Sequence, residues 1–153
     1  MNNKIVLLVG VSGCGKSTFV DKYVRENPDT TVISSDKLRG IIGKSEEDQS
    51  VTPQVFSIIK VKTEELVKNG KSVLIDATNL IPKNRRDYIN IARKYNTPIV
   101  AYAFERCRNT LVSNQAKRKS AGGRLVPTDI IDKMLASYVR PTKEEGFSEI
   151  HFV

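Results

Sequence analysis

Gly10-Val11-Ser12-Gly13-Cys14-Gly15-Lys16-Ser17-Thr18 fits the spacing Gly-x-x-x-x-Gly-Lys-Ser/Thr and stands between two segments of different character. Before it, Lys4 to Gly10 is a continuous β-branched and Leu-rich run, the pattern of a strand buried on both faces of a parallel sheet. After it, a helix is expected from Lys16 to about Glu26, stopped at Asn27-Pro28 because proline cannot continue the hydrogen-bond ladder. A glycine loop in that context cradles phosphate: its N–H groups turn inward without Cβ obstruction, and the helix adds its positive end. ATP and Mg²⁺ are therefore the expected ligands, held around Gly10, Ser12, Gly13, Cys14 and Gly15. Lys16 should reach the β- and γ-phosphates and the Ser17 hydroxyl should ligate Mg²⁺. Thr18 suits the α-phosphate or is a first-turn helix residue, and Cys14 reads as filler whose alkylation should block nucleotide entry.

Working outward, Thr31 to Ser34 is a short β-branched strand, Asp36 opens a helical turn through Ile42, and Lys44 to Thr52 is a polar loop. Pro53 suits a first helical turn, and Val55, Ile58, Ile59, Val61, Leu66 and Val67 make an apolar stripe ending at Asn69-Gly70. Strands at Ser72 to Ile75 and Pro98 to Phe104 flank a basic amphipathic helix from Pro82 to Tyr95. A helix from about Asn109 to Ser120, a Gly122-Gly123 break, a helix from Thr128 to about Tyr138 and a last strand at Glu149 to Val153 follow. This alternation predicts one α/β domain over residues 1–153. With the residues taken up below, a P-loop kinase fold is expected, with a parallel β-sheet of about five strands, helices on both faces, a basic helical lid, and ligands beyond the carboxyl ends of the strands.

The bulk properties agree with a single unit: 153 residues, 39% hydrophobic and 27% charged. No apolar run approaches the roughly 18 residues of a membrane helix. The N-terminal residues run straight into the glycine motif without a signal-peptide pattern, so a cytoplasmic protein is expected. Cys14 and Cys107 have no paired spacing and there is one His, which suggests neither a zinc site nor a disulfide framework. A net charge of +8 favours an anionic partner, nucleic acid or a nucleotide alone.

Ser34-Ser35-Asp36-Lys37-Leu38-Arg39 places a carboxylate at the end of the second strand with an arginine one turn later. Asp36 there can orient an acceptor hydroxyl and take its proton late in phosphoryl transfer, or it can N-cap the helix. Arg39 can hold an anionic group of the acceptor. Ser72 to Asp76 ends a buried strand in an acid, where a P-loop protein keeps the carboxylate that helps hold Mg²⁺. Asp76 could equally cap a loop, and Thr78 and Asn79 are candidates for acceptor or turn contacts. From Arg106 to Thr128 the chain carries six basic residues and no acid. This reads as a solvated face or as a lid whose Arg118 stabilises charge on the transferring group, hinged at the glycine pair. The basic residues Lys83, Arg85, Arg86, Arg93 and Lys94 are expected on a solvated face, and Glu46, Glu47 and Asp48 are expected to need only solvent.

Together these features resemble the kinase domain of polynucleotide 5′-hydroxyl kinases, as found in phage end-healing enzymes and animal DNA-repair kinases, over almost the full length. The carriers are Gly10 to Thr18, Asp36-x-x-Arg39, Asp76-Ala77-Thr78-Asn79-Leu80, the basic helix ending at Lys117-Arg118, Val126-Pro127, and Pro141-Thr142-Lys143-Glu144-Glu145-Gly146-Phe147. The resemblance implies Asp36 as general base, Arg39 on the phosphate next to the reacting end, Arg118 as the lid arginine, and 5′-hydroxyl ends of nucleic acid as partner. Ser34-Ser35 stands where those kinases carry Asn-Arg, and Asn114 where phage members carry a second lid arginine. Rival acceptors are a hydroxyl on a modified DNA base or on a small metabolite. A nucleotide-gated binding module without transfer is the third reading, against which Asp36 speaks.

Overall fold

The computed structural model describes residues 2–121 and 125–153. The elements in order are β1 (Ile5–Gly10), α1 (Lys16–Glu26), β2 (Thr30–Ser34), α2 (Ser35–Ile42), α3 (Thr52–Lys68), β3 (Ser72–Asp76), α4 (Pro82–Lys94), β4 (Ile99–Phe104), α5 (Arg108–Ser120), α6 (Thr128–Ser137) and β5 (Glu149–Phe152). The strands form one parallel sheet in the order β2-β3-β1-β4-β5. The expected five-strand α/β architecture is thus the observed one.

Alternation along β1 divides the core in two. Ile5 and Leu7 face a cluster with Ile59 of α3 and Ile89 of α4, whereas Val6 and Leu8 face Tyr23 of α1, Leu111 of α5 and Ile131 of α6. Successive side chains of a strand point to opposite faces, so a wholly buried run requires helices on both. On the second face Phe19 of α1 packs 4.7 Å from the Tyr102 ring and 5.3 Å from Phe104, wedging α1 against β4. No helix among the described residues is long and apolar enough to cross a membrane.

Several local expectations are corrected. The cap of α2 is Ser34, whose hydroxyl accepts from the Lys37 N–H at 3.3 Å, so Asp36 lies in the first turn and is not the cap. The segment read as a loop contains a 3₁₀ turn at Gln49–Val51, capped by Asp48. The Asp48 carboxylate accepts from Ser50 and from the Lys44 N–H, bonds that lower its pKa below the usual value. Glu47 accepts from the Leu125 N–H at 3.3 Å, reaching the segment that precedes α6. Glu47 and Asp48 therefore do more than meet solvent.

The largest correction is on α4. Arg85, expected on a solvated face, is fully buried. Its Nε donates to the Asn79 carbonyl at 2.9 Å, Nη2 to the carbonyls of Leu80 (2.9 Å) and Val139, and Nη1 to Glu145 at 3.0 Å. A planar guanidinium with five donors can serve four acceptors at once, which makes burial of the charge tolerable. Glu145 is itself set by a capping box with Thr142. The Pro-Thr-x-x-Glu-Gly-Phe string thus fastens the C-terminal segment to the β3–α4 connection, with Gly146 at φ +124° and Phe147 in the core. The expected Gly122-Gly123 hinge and Arg124 lie outside the described residues.

Candidate active site

The glycine loop leaves the carboxyl end of β1, tied there by the Gly10 N–H donating to the Thr78 carbonyl at 2.9 Å. A Cβ at Gly10 would come within 2.6 Å of Cys14 Sγ and 3.1 Å of Phe104, so the turn packs only with glycine. Gly15, at φ +99°, is the N-cap of α1 and carries no side-chain cap, leaving the first-turn N–H groups for a ligand. Cys14 is 2% exposed and sits in the core cluster under the loop, which corrects its reading as loop filler open to alkylation. Lys16 folds over its own loop, Nζ donating to the Gly10 carbonyl at 2.7 Å.

A cleft of about 510 Å³ opens above the strand ends, lined by loop residues Ser12, Gly13 and Gly15 to Thr18 and, opposite, by Asp36, Arg39, Asp76 and Arg118. Parallel pairing sets Ser34 beside Asp76, so the two strands deliver both acids to one rim. Asp36 Oδ1 accepts from Arg39 Nη1 at 2.8 Å, and Asp36 Oδ2 lies 3.6 Å from Arg118 Nη2. Arg118 Nη1 donates to Ser12 Oγ at 2.7 Å. One guanidinium from α5 thereby touches both the glycine loop and Asp36 on the opposite wall of the cleft. Arg39 is 7% exposed, with Nε also 3.5 Å from Thr52 Oγ1.

Burial pushes the Asp76 carboxyl above the usual carboxylate range; Lys16 pulls it down, Asp36 pushes it up, and Lys37 and Arg118 pull it down. A cation next to Asp76 would relieve that burial cost, and the Ser17 hydroxyl lines the same cleft. Among the described residues no three His, Cys, Asp or Glu side chains converge, so a Mg²⁺ ion, if held by Ser17 and Asp76, would need further ligands from phosphate and water. Thr78 lines the cleft through the loop that receives Gly10. Asn79, at φ +46° and 3% exposed, donates from Nδ2 to the Leu8 carbonyl at 2.8 Å, so its amide serves as the turn contact.

Two loop contacts from α5 are not legible as such in the sequence, where Asn114 stands out only for occupying the place of a second lid arginine and Gln115 not at all. Asn114 Nδ2 donates to the Gly13 carbonyl at 2.6 Å, and Gln115 Nε2 donates to Ser12 Oγ at 3.2 Å. Polar residues inside a basic helix read as surface; only the packing of α5 on the loop exposes their use.

Comparison with known proteins gives a match to the AAA domain family over residues 5–141. The L-seryl-tRNA(Sec) kinase of Methanococcus maripaludis is 27% identical over 143 residues, covering 90% of this chain and 53% of that protein. The bifunctional polynucleotide phosphatase/kinase of Schizosaccharomyces pombe is 26% identical over 159 residues, covering 99% of this chain and 34% of its own length. A chain of the Pnkp1/Rnl/Hen1 RNA repair complex superposes with a TM-score of 0.75 at 27% identity, over 88% of this chain and 43% of that one. This chain spans about half or less of each of these relatives.

Proposed function

The chain belongs to the AAA domain family, and from that premise we propose that this P-loop phosphotransferase moves the γ-phosphoryl group of ATP to the 5′-hydroxyl end of a polynucleotide. The observation that carries the reading is the Asp36–Arg39 pair, 2.8 Å apart at the end of β2 and facing the phosphate loop across one cleft. In the reaction the acceptor oxygen bonds to the γ-phosphorus and the bond from that phosphorus to the β,γ-bridging oxygen breaks. ADP leaves, and the acceptor proton passes to Asp36. Lys16 moves from the Gly10 carbonyl to the phosphates, Arg118 meets the equatorial oxygens, and Arg39 orients Asp36 and meets the phosphate beside the reacting end. Magnesium held by Ser17 and Asp76 neutralises phosphate charge when bound.

Support for a polynucleotide acceptor comes from the fission-yeast and RNA-repair relatives and from the +8 balance. The test is transfer of labelled γ-phosphate to a panel of 5′-hydroxyl oligonucleotides, nucleoside 3′-monophosphates, seryl-tRNA and a sugar acid. Oligonucleotides and nucleoside 3′-monophosphates should be labelled, and oligonucleotide affinity should fall steeply with salt. Labelling confined to seryl-tRNA would establish the second reading, favoured by the Methanococcus relative and by the uncharged Ser34-Ser35 step. Labelling of the sugar acid alone would overturn both.

A further inference from the structure

We infer that Gln115 is a positioning residue for the lid arginine: its amide fastens helix α5 to the phosphate loop and to the chain returning from the lid, and so sets where Arg118 stands. The side chain is 3% exposed and both ends of its amide are engaged. Nε2 donates to Ser12 Oγ at 3.2 Å, and Oε1 accepts from the Val126 N–H at 2.9 Å. A buried amide that lost either partner would incur its full desolvation cost, so few other placements of α5 satisfy it. Gly13 is shaped to the same contact, since a Cβ there would lie 2.8 Å from Gln115 Nε2.

Arg118 follows three residues later on the same helix face and donates to the same Ser12 hydroxyl at 2.7 Å. A long arginine side chain has much rotamer freedom to lose, and a helix already clamped to the loop lowers that loss when the guanidinium must meet a charged transition state. Asn114, donating to the Gly13 carbonyl at 2.6 Å, is the neighbouring fastening. Gln115 does not line the cleft; it meets Ser12 and the Val126 N–H, and Arg118 shares the Ser12 hydroxyl, so the influence assigned to it passes through the placement of Arg118.

The inference rests on the phosphotransferase reading and on the lid role of Arg118, and is independent of the acceptor. Dissociation constants for MgADP and for MgADP with aluminium fluoride, a mimic of the transferring phosphoryl group, test it without acceptor. Wild type should prefer the mimic. Gln115→Leu should weaken binding of the mimic by about tenfold with MgADP affinity nearly unchanged, as expected for an interaction made in the transition state alone. Gln115→Asn, one methylene too short to span both partners, serves as second variant should the Leu variant melt early. In an Arg118→Ala background Gln115→Asn should add nothing, because residues acting as a unit are non-additive. A wild-type preference retained by both Gln115 variants, or a loss that adds in full to that of Arg118→Ala, would overturn the positioning role. A wild type that binds the two equally would instead sink the phosphotransferase premise.

Discussion

Arg118 of α5 faces Asp36 of α2 across the cleft, Nη2 standing 3.6 Å from Oδ2, while its Nη1 lies 2.7 Å from Ser12 Oγ. The residue proposed to stabilise the transferring charge and the residue proposed to take the acceptor proton thus stand in contact across the cleft. Arg118→Ala should lower turnover roughly 10²-fold with little change in ATP affinity. Its loss should cost at most about 1 kcal/mol of stability, because the pair with Asp36 is partly exposed. Steady-state kinetics beside thermal melting checks this, and an unchanged turnover would remove Arg118 from the mechanism.

Asp36 pairs with Arg39, which is 7% exposed, and the cap of α2 is Ser34. Asp36→Asn should therefore lower turnover on the order of 10²-fold or more through loss of the proton acceptor. It should also destabilise the fold by about 1–3 kcal/mol, because the Arg39 charge loses its carboxylate partner. Turnover near wild type in the folded variant would return Asp36 to a structural role.

Burial holds the Asp76 carboxyl above its ordinary value of 3.8, so between that value and its raised folded pKa the native chain keeps a proton that the unfolded chain has released. The stability contributed by this group is present below the ordinary value and falls as pH rises through that window. Asp76→Asn should consequently melt above wild type at neutral pH, the gap closing as pH is lowered towards about 4, while Mg-dependent transfer is lost. A variant less stable than wild type at neutral pH would contradict the burial argument.

Arg85 joins the β3–α4 connection to the C-terminal segment through one buried guanidinium. Arg85→Met should cost about 3–5 kcal/mol in denaturant unfolding, as when one partner of a buried pair is removed. Lysine should recover little of this, since an ammonium cannot serve the fork of carbonyls and carboxylate together. A loss below about 1 kcal/mol would show that α4 tolerates solvent there.

Cys107 is exposed and its thiol is shifted down by the hydrogen bond with Thr110, whereas Cys14 is buried under the loop. Limited alkylation read by mass spectrometry should therefore modify Cys107 first and leave both Cys14 and ATP binding intact until the protein unfolds. Early modification of Cys14 would mean that the loop opens far more than its packing implies.

Much of the molecule is legible in its amino-acid order. The strand β1, the glycine loop and the start of α1 are local patterns: an apolar run, glycines where backbone must turn inward, and a lysine and a serine at fixed offsets. The five parallel strands follow from apolar runs separated by helical segments, and the rim residues Asp36 and Asp76 from acids at strand ends. Tertiary structure alone decided the rest. Arg85 has the same local setting as Arg86, yet one is buried among carbonyls of distant segments and the other is not. Ser34 took the cap for which Asp36 was a candidate, and Gln115 and Asn114 became loop contacts because α5 packs there. Local patterns record backbone preference and hydrophobic period, which act within a few residues. Which polar group faces which depends on partners brought together from far along the chain, and only the packed fold specifies them.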